Sequence, residues 1–283
     1  MSNTPHYVII GYGAIGQGME WLLKYLKRDY TIIRRGDYVP FEKATHIIDT
    51  AWEGANDARK RANMTLQHMA MRLAFERIED AERAKFRGRY TMIGSQAEWG
   101  EQSLIMDSEF AHNYISDPYG IMKRHVCERL LSSALDSCWI RLSGVVYKDM
   151  PDSLFKRAAT SLVAYDPNTL WNTLPLGTAC EAILRITEEP EHGIINLGSP
   201  YNYTLRDMVL AVGGREKMHN ENAKSRPCVM EVKRARRYVD GVDMLDKLRL
   251  LGKVWRGETP TIDDHLYSCN HYDLSKDMTG GQQ

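Results

Sequence analysis

Short apolar runs alternate along this chain with stretches whose apolar residues recur every three or four positions, the signature of strands and helices taken in turn. Tyr7–Ile10 (Y-V-I-I) predicts a buried strand. Ile15, Met19, Leu22, Leu23 and Leu26 then recur at helical spacing. Tyr30–Arg34 (Y-T-I-I-R) gives a second strand and residues 44–51 (A-T-H-I-I-D-T-A) a third. Only about ten residues separate these two strands, too few for a crossover helix. The pattern from Asp57 to Lys85 predicts one long helix with Met64, Leu66, Met69, Leu73 and Ile78 as its apolar members. Its methionines read as core filler, and Asn63 within it as a packing or backbone-bonding residue. Tyr90–Ile93 makes a fourth strand. Asp117 and Pro118 then supply an N-cap and a first helical residue, and Cys138–Leu142 a further strand. This alternation predicts an α/β fold with a parallel sheet.

Beyond Tyr147 the pattern loosens. Met150–Thr160 predicts a loop and helix over a cleft, and Leu176–Thr187 an amphipathic packing helix. Ala211–Arg226 turns polar, as a surface loop does, and Leu245, Leu248, Leu250 and Leu251 suggest a last helix. The end, D-M-T-G-G-Q-Q, is small and polar, resembles an epitope tag and is expected to be disordered. With 283 residues the chain is long enough for a sizeable core. The expected division is 1–146, 147–270 interleaved with it, and a tail from 271 to 283.

The first strand runs straight into G-Y-G-A-I-G, residues Gly11, Tyr12, Gly13, Ala14, Ile15 and Gly16, which matches G-x-G-x-x-G. Strand, glycine turn and helix together make a dinucleotide-binding reading credible, with the phosphates at the helix N-terminus. The first unit is therefore expected to be a Rossmann-like, doubly wound parallel sheet, and the second a smaller substrate-binding lobe. At the end of the second strand, where a carboxylate would bind the ribose of NAD, stand Arg34 and Arg35. Guanidinium groups pair with a 2′-phosphate, so NADP is expected over NAD, with nearby Asp37 keeping NAD possible. Thr50 and Ala51 fall where the chain passes the cofactor.

Tyr119 and Lys123 sit one helical turn apart. A nearby ammonium favours the phenolate, so the pair is a candidate acid–base device, with the tyrosine pKa expected to fall from about 10. Ser95 ends the fourth strand, the edge where open parallel sheets place ligands. Tyr272 and Lys276 repeat the spacing without an upstream strand-end serine, and are discounted.

Lysine plus arginine and aspartate plus glutamate number 37 each, so no global charge points to nucleic acid or an anionic membrane. The one basic run, Lys233 to Arg237 (K-R-A-R-R), reads as a solvated face balanced by Asp240, Asp243 and Asp246, the alternative being a hold on a substrate diphosphate. No apolar run approaches the roughly 20 residues of a membrane span. The first residues, M-S-N-T-P-H, lack a basic start and apolar core, so secretion is not expected. Cys127, Cys138, Cys180, Cys228 and Cys269 are odd in number and form no C-x-x-C pair, which fits reduced thiols in a cytoplasmic protein. Cys269 and His271 are too few to define a metal site, and no metal is expected.

Three segments in order, G-Y-G-A-I-G, G-S-Q-A-E-W-G and P-Y-G-I-M-K, resemble the short-chain dehydrogenase/reductase superfamily, in its extended, sugar-nucleotide-modifying (epimerase/dehydratase-like) or atypical branch. Arg141–Lys148 resembles the passage to the substrate lobe, and Gly193–Met208 the strand and helix entering it. The resemblance implies Tyr119 as proton donor or acceptor, Lys123 as its partner and ribose ligand, and Ser95 on the reacting oxygen. It implies an oxidoreductase that reduces a keto group, or oxidises an alcohol, on a sugar nucleotide or similar polar metabolite, and a homodimer is expected. An epimerase with tightly held cofactor and a non-catalytic dinucleotide sensor are the alternatives. Two departures are visible. Ile10 replaces the first glycine of the extended loop, and Gln96 and Ala97 replace the acid–base pair of 4,6-dehydratases, which disfavours dehydration.

Overall fold

The computed structural model describes residues 4–52, 58–99, 117–150, 153–215 and 229–258. In the first half these form β1 (His6–Ile10), α1 (Ala14–Tyr25), β2 (Asp29–Ile33), β3 (His46–Asp49), α2 (Ala58–Arg61), α3 (Met64–Arg83) and β4 (Arg89–Ser95). A single tight helical turn (Gln96–Trp99), α4 (Pro118–Leu131) and β5 (Ser137–Leu142) follow. The second half adds β6 (Gly144–Val146), α5 (Leu154–Thr160), β7 (Leu170–Trp171), β8 (Thr173–Pro175), α6 (Leu176–Glu188) and β9 (Gly193–Leu197). Then come β10 (Tyr203–Thr204), α7 (Leu205–Ala211), α8 (Arg236–Val239) and α9 (Met244–Trp255).

Six strands form one sheet in the order β2-β1-β3-β4-β5-β9, all parallel. The near-continuous apolar strands reflect burial on both faces. One face carries Met19, Leu22 and Leu23 of α1 with Ala179, Ile183 and Ile186 of α6. The other carries Ala74 and Ile78 of α3 with Val126 and Leu130 of α4. This is the doubly wound α/β sheet that the strand–helix alternation predicts. As expected, the segment between β2 and β3 holds no helix.

The structure departs from the sequence pattern in several places, one being that Met64, Met69 and Leu73, read as apolar members of a packed helix face, are exposed. The long helix expected over 57–85 is broken, because Asn63 is extended (φ −82°, ψ 100°) and its side chain accepts from the Leu66 amide as the N-cap of α3. A mid-helix asparagine competes for backbone donors, and here it wins the first turn. Residues 193–197, which read as the entry to the smaller lobe, form the sixth strand of the main sheet instead. The helix before them, α6, is buried almost all round and closes against α1, where a Cβ at Gly18 would lie 2.7 Å from Cys180 Sγ.

A separate apolar cluster joins α5, α7 and α9, including Phe155, Met208 and Leu248. The basic run is spent on structure. Arg234 donates to the Ile194 carbonyl (2.7 Å) and pairs with Glu191, while Arg237 pairs with Glu189 and Glu191. Of the expected acidic partners only Asp240 meets the run, at Arg236; Asp243 caps α9 and Asp246 pairs with Arg249. Cys127, Cys138 and Cys180 are buried free thiols. Cys228, Cys269, His271, Tyr272, Lys276 and the tail lie outside the described residues. Among the described residues no helix is long and apolar enough to cross a membrane, and no cluster of metal-ligating side chains occurs.

Candidate active site

The turn between β1 and α1 is shaped by its glycines, each for a separate reason. Gly11 has φ +95°, and a Cβ there would lie 2.7 Å from Ala51 Cα. At Gly16 a Cβ would overlap the Gly11 carbonyl oxygen, 2.1 Å away, so helix and loop meet backbone to backbone. Gly13 differs: a Cβ there meets no protein atom within 4 Å, and its backbone is ordinary extended chain. Nothing among the described residues explains a glycine at 13, whereas close approach of a bound phosphate would. No side chain caps α1, so its first amides are not occupied by a capping group. Ala14 and Ile15 supply two of these first-turn positions. The Thr50 hydroxyl donates to the Ile10 carbonyl at 3.0 Å, and Ala51 packs on Gly11, so both brace the loop from β3.

Tyr12 and Arg34 flank this loop as a stacked pair. The Arg34 guanidinium lies 4.6 Å from the Tyr12 ring centre, and the Tyr12 hydroxyl donates to Glu20 at 2.5 Å. Asp37, the carboxylate nearest the end of β2 in sequence, turns back to accept from the Arg34 amide at 2.8 Å. Arg34 and Arg35 are both exposed.

At the carboxyl ends of β3 and β4 a second group of side chains gathers. Asp117 caps α4, and Pro118 opens it, as the sequence predicts. That start orients Tyr119 and Lys123 inward, and both are buried (6% and 5% exposed). The Ser95 hydroxyl lies near enough to the Tyr119 phenol to favour its ionised form. Trp52 stands edge-on to the Tyr119 ring, with centres 6.0 Å apart, and the Lys123 ammonium sits over the Trp52 face at 4.2 Å. Arg61 stacks on the Tyr119 ring at 4.7 Å and pairs with Asp117 at 2.5 Å. Thus Ser95, Tyr119 and Lys123 converge, while Arg34 and Arg35 stay at the outer end of β2.

The electrostatics differ from the simple pairing expected of Tyr119 and Lys123. Burial pushes the Tyr119 phenol up to about 12, against the lowering effect of the nearby Ser95 hydroxyl and of Arg61. The cation acting on the phenol is Arg61, from α2, rather than Lys123. Lys123 instead donates to the Ile93 carbonyl at 2.5 Å, and burial lowers its pKa to about 8. A lysine whose folded pKa falls below its unfolded value penalises folding most where both states are protonated. Lys123 therefore contributes a rise in unfolding free energy from about pH 8 toward pH 10, opposed from about pH 9 by the Cys127 thiol, whose pKa burial raises, and above about pH 10 by the buried tyrosines. Lys123→Met should remove that rise in urea titrations across this window.

Three residues of this site escaped the sequence reading. Trp52 is held by its indole N–H on Gln67 Oε1 at 2.8 Å, and Arg61 belongs to the short helix before the Asn63 break. Glu98 is fully buried beneath Ser95. For Glu98 a signal was present: Ser95-Gln96-Ala97-Glu98 is an S-x-x-E capping box at the end of a strand.

A parallel, doubly wound six-stranded sheet with a glycine turn after β1 is a Rossmann-like fold, and solved structures share it. The chain is similar to UDP-glucose 4-epimerase of Thermus thermophilus in complex with NAD, at 15% identity and a TM-score of 0.72, covering 90% of this chain and 100% of that one. It is equally similar to RMD of Pseudomonas aeruginosa complexed with NADPH, at 12% identity and TM-score 0.73, again covering 90% and 100%. A dTDP-glucose 4,6-dehydratase of Bacillus anthracis in complex with NAD matches at 12% identity and TM-score 0.69, covering 89% and 97%. No protein-family model matches the chain, and no curated protein matches it. At such identities the likeness is one of fold.

Proposed function

We propose that this chain is an NADP(H)-dependent oxidoreductase that interconverts a keto group and an alcohol on a sugar nucleotide or a similar polar metabolite. The observation that carries the reading is the convergence of Ser95, Tyr119 and the buried Lys123, the last two both against Trp52, at the sheet edge that also bears the glycine loop. The solved structures of the same fold support a nicotinamide dinucleotide and a nucleotide-linked sugar, since their complexes contain NAD or NADPH and one contains UDP-glucose with NAD.

The residues of the loop fit such a cofactor. Gly13 leaves room for close approach of a phosphate, the first turn of α1 offers amide donors, and the residues beyond 146 other than α6 and β9 would form the substrate lobe. When bound, the dinucleotide supplies or accepts the hydride. Tyr119 Oη then gives or takes the proton at the substrate oxygen, and the Ser95 hydroxyl holds that oxygen in place. Lys123, with three donors and one of them on the Ile93 carbonyl, is suited to turn another toward a ribose hydroxyl. Burial of the site keeps water from the reacting carbon.

Arg34, poised over Tyr12 beside the loop, favours a 2′-phosphate, and Asp37 is engaged with the backbone. NADPH is expected to bind about tenfold or more tightly than NADH, with Arg34→Ala removing most of the difference. Fluorescence titration of both dinucleotides checks this, and equal constants would leave NAD as the cofactor. The epimerase reading uses the same tyrosine and the same hydride. Mass analysis of the purified protein separates the two, because an epimerase retains its dinucleotide through turnover whereas a reductase exchanges it.

A further inference from the structure

Glu98 has no place in the proposed proton path, yet it is the most completely enclosed carboxylate near it. Its Oε1 accepts from the Ser95 amide at 2.7 Å, and the Trp139 indole N–H reaches both oxygens, at 3.1 and 3.0 Å. Arg141, itself 1% exposed, donates through Nε to Oε2 at 2.9 Å. A Cβ at Gly94 would lie 2.2 Å from Trp139 Nε1 and 2.5 Å from Glu98 Oε1, so the strand is bare where the carboxylate and indole must fit. With these donors on both oxygens and no exposure to the cleft, Glu98 is poorly placed to shuttle a proton. Its position is that of a holder.

What it holds is the serine. The Ser95 oxygen accepts from the Ala97 amide at 3.2 Å, so its proton is not spent on that turn and the hydroxyl stands near the Tyr119 phenol. Glu98 closes the same turn from the other side through the Ser95 amide. The two bonds close the turn from both ends, a variant of the capping box with the serine oxygen on the Ala97 amide. We propose that Glu98 is a positioning residue: anchored by Arg141 and Trp139, its carboxylate fixes the Ser95 backbone and so sets the Ser95 hydroxyl beside Tyr119. This rests on the Ser95–Tyr119 pairing of the proposed reaction, and adds to it a residue outside the reacting set.

The experiment is a cycle read at Tyr119 itself, without substrate. Tyrosine is labelled at the ring carbon bearing the hydroxyl, and the Tyr119 resonance is assigned by its loss in Tyr119→Phe. In the native background Ser95→Ala removes the hydroxyl beside the phenol and should shift that resonance. In Glu98→Leu/Arg141→Met, which replaces the buried pair by apolar groups, Ser95→Ala should no longer shift it. Glu98→Asp keeps the charge opposite Arg141 while shortening the arm, and serves if the double variant fails to fold; there the Ser95→Ala shift should fall by half or more. An unchanged Ser95→Ala shift in a folded Glu98 variant overturns the proposal. No Ser95→Ala shift in the native background would mean that the serine never contacts the phenol, which removes the underlying pairing and the proposal with it.

Discussion

Replacing Tyr119 with phenylalanine is expected to reduce turnover by about 10²–10⁴-fold, the usual contribution of one positioned acid or base. Dinucleotide affinity should change less than about threefold, because the phenol contributes a proton and not the glycine loop's contacts. The structure makes this a clean comparison. Tyr119 is packed between Trp52 and Arg61, and loss of the hydroxyl leaves the ring stacking in place. The Ser95 oxygen keeps the Ala97 amide, so the local turn survives. Steady-state rates with a panel of keto and hydroxyl sugar nucleotides, together with NADPH titrations of both forms, give the two numbers. A variant with full activity would show that the proton comes from elsewhere and would end the catalytic assignment.

Substitution in the glycine loop should separate folding from binding with comparable force. Gly13→Ala adds a methyl that meets no protein atom within 4 Å, on backbone that alanine adopts freely. Its melting temperature should match the parent, within about 0.5 kcal/mol of stability as for an open surface site. Its affinity for NADPH should nonetheless drop by about tenfold or more, since the added methyl stands where the phosphate must approach. Gly16→Ala is the counterpart. There the methyl would sit 2.1 Å from the Gly11 carbonyl oxygen, so helix and loop must move apart, at a stability cost of about 1–3 kcal/mol. Thermal melts with and without NADPH check both. If Gly13→Ala bound NADPH undiminished, the loop would be a structural turn only.

Much of this was legible in the sequence because its signals are local. A glycine that must be bare, a Pro at the first position of a helix and an apolar run of strand length each act over a few residues. They placed the loop, the start of α4 and the strands without long-range information. What stayed hidden depended on partners far along the chain. Glu98 acquires its buried partner only when Arg141, 43 residues on, is brought across the sheet to meet it. Trp52 becomes a site residue only when Gln67 and Lys123 close on it. The same holds for Arg237, which finds Glu189 and Glu191 rather than the aspartates that follow it. The pKa inference failed for a related reason. Spacing on a helix shows that a lysine and a tyrosine share a face, but burial decides which way each titrates, and burial is set by the whole sheet.

The return of residues 176–197 to the sheet has a consequence for how the molecule comes together. The α1 face of the sheet is completed by α6, and the sixth strand pairs with β5 only after an intervening stretch that supplies β6, α5, β7 and β8. A nascent chain that has reached only Val146 therefore carries the complete glycine loop and the Tyr119 helix, yet one side of its sheet has α1 alone to cover it. The half expected to bind a dinucleotide thus leaves that face of its sheet incompletely covered. The residues that cover it lie beyond the first stretch of the part expected to recognise substrate, so the two expected binding regions share one core.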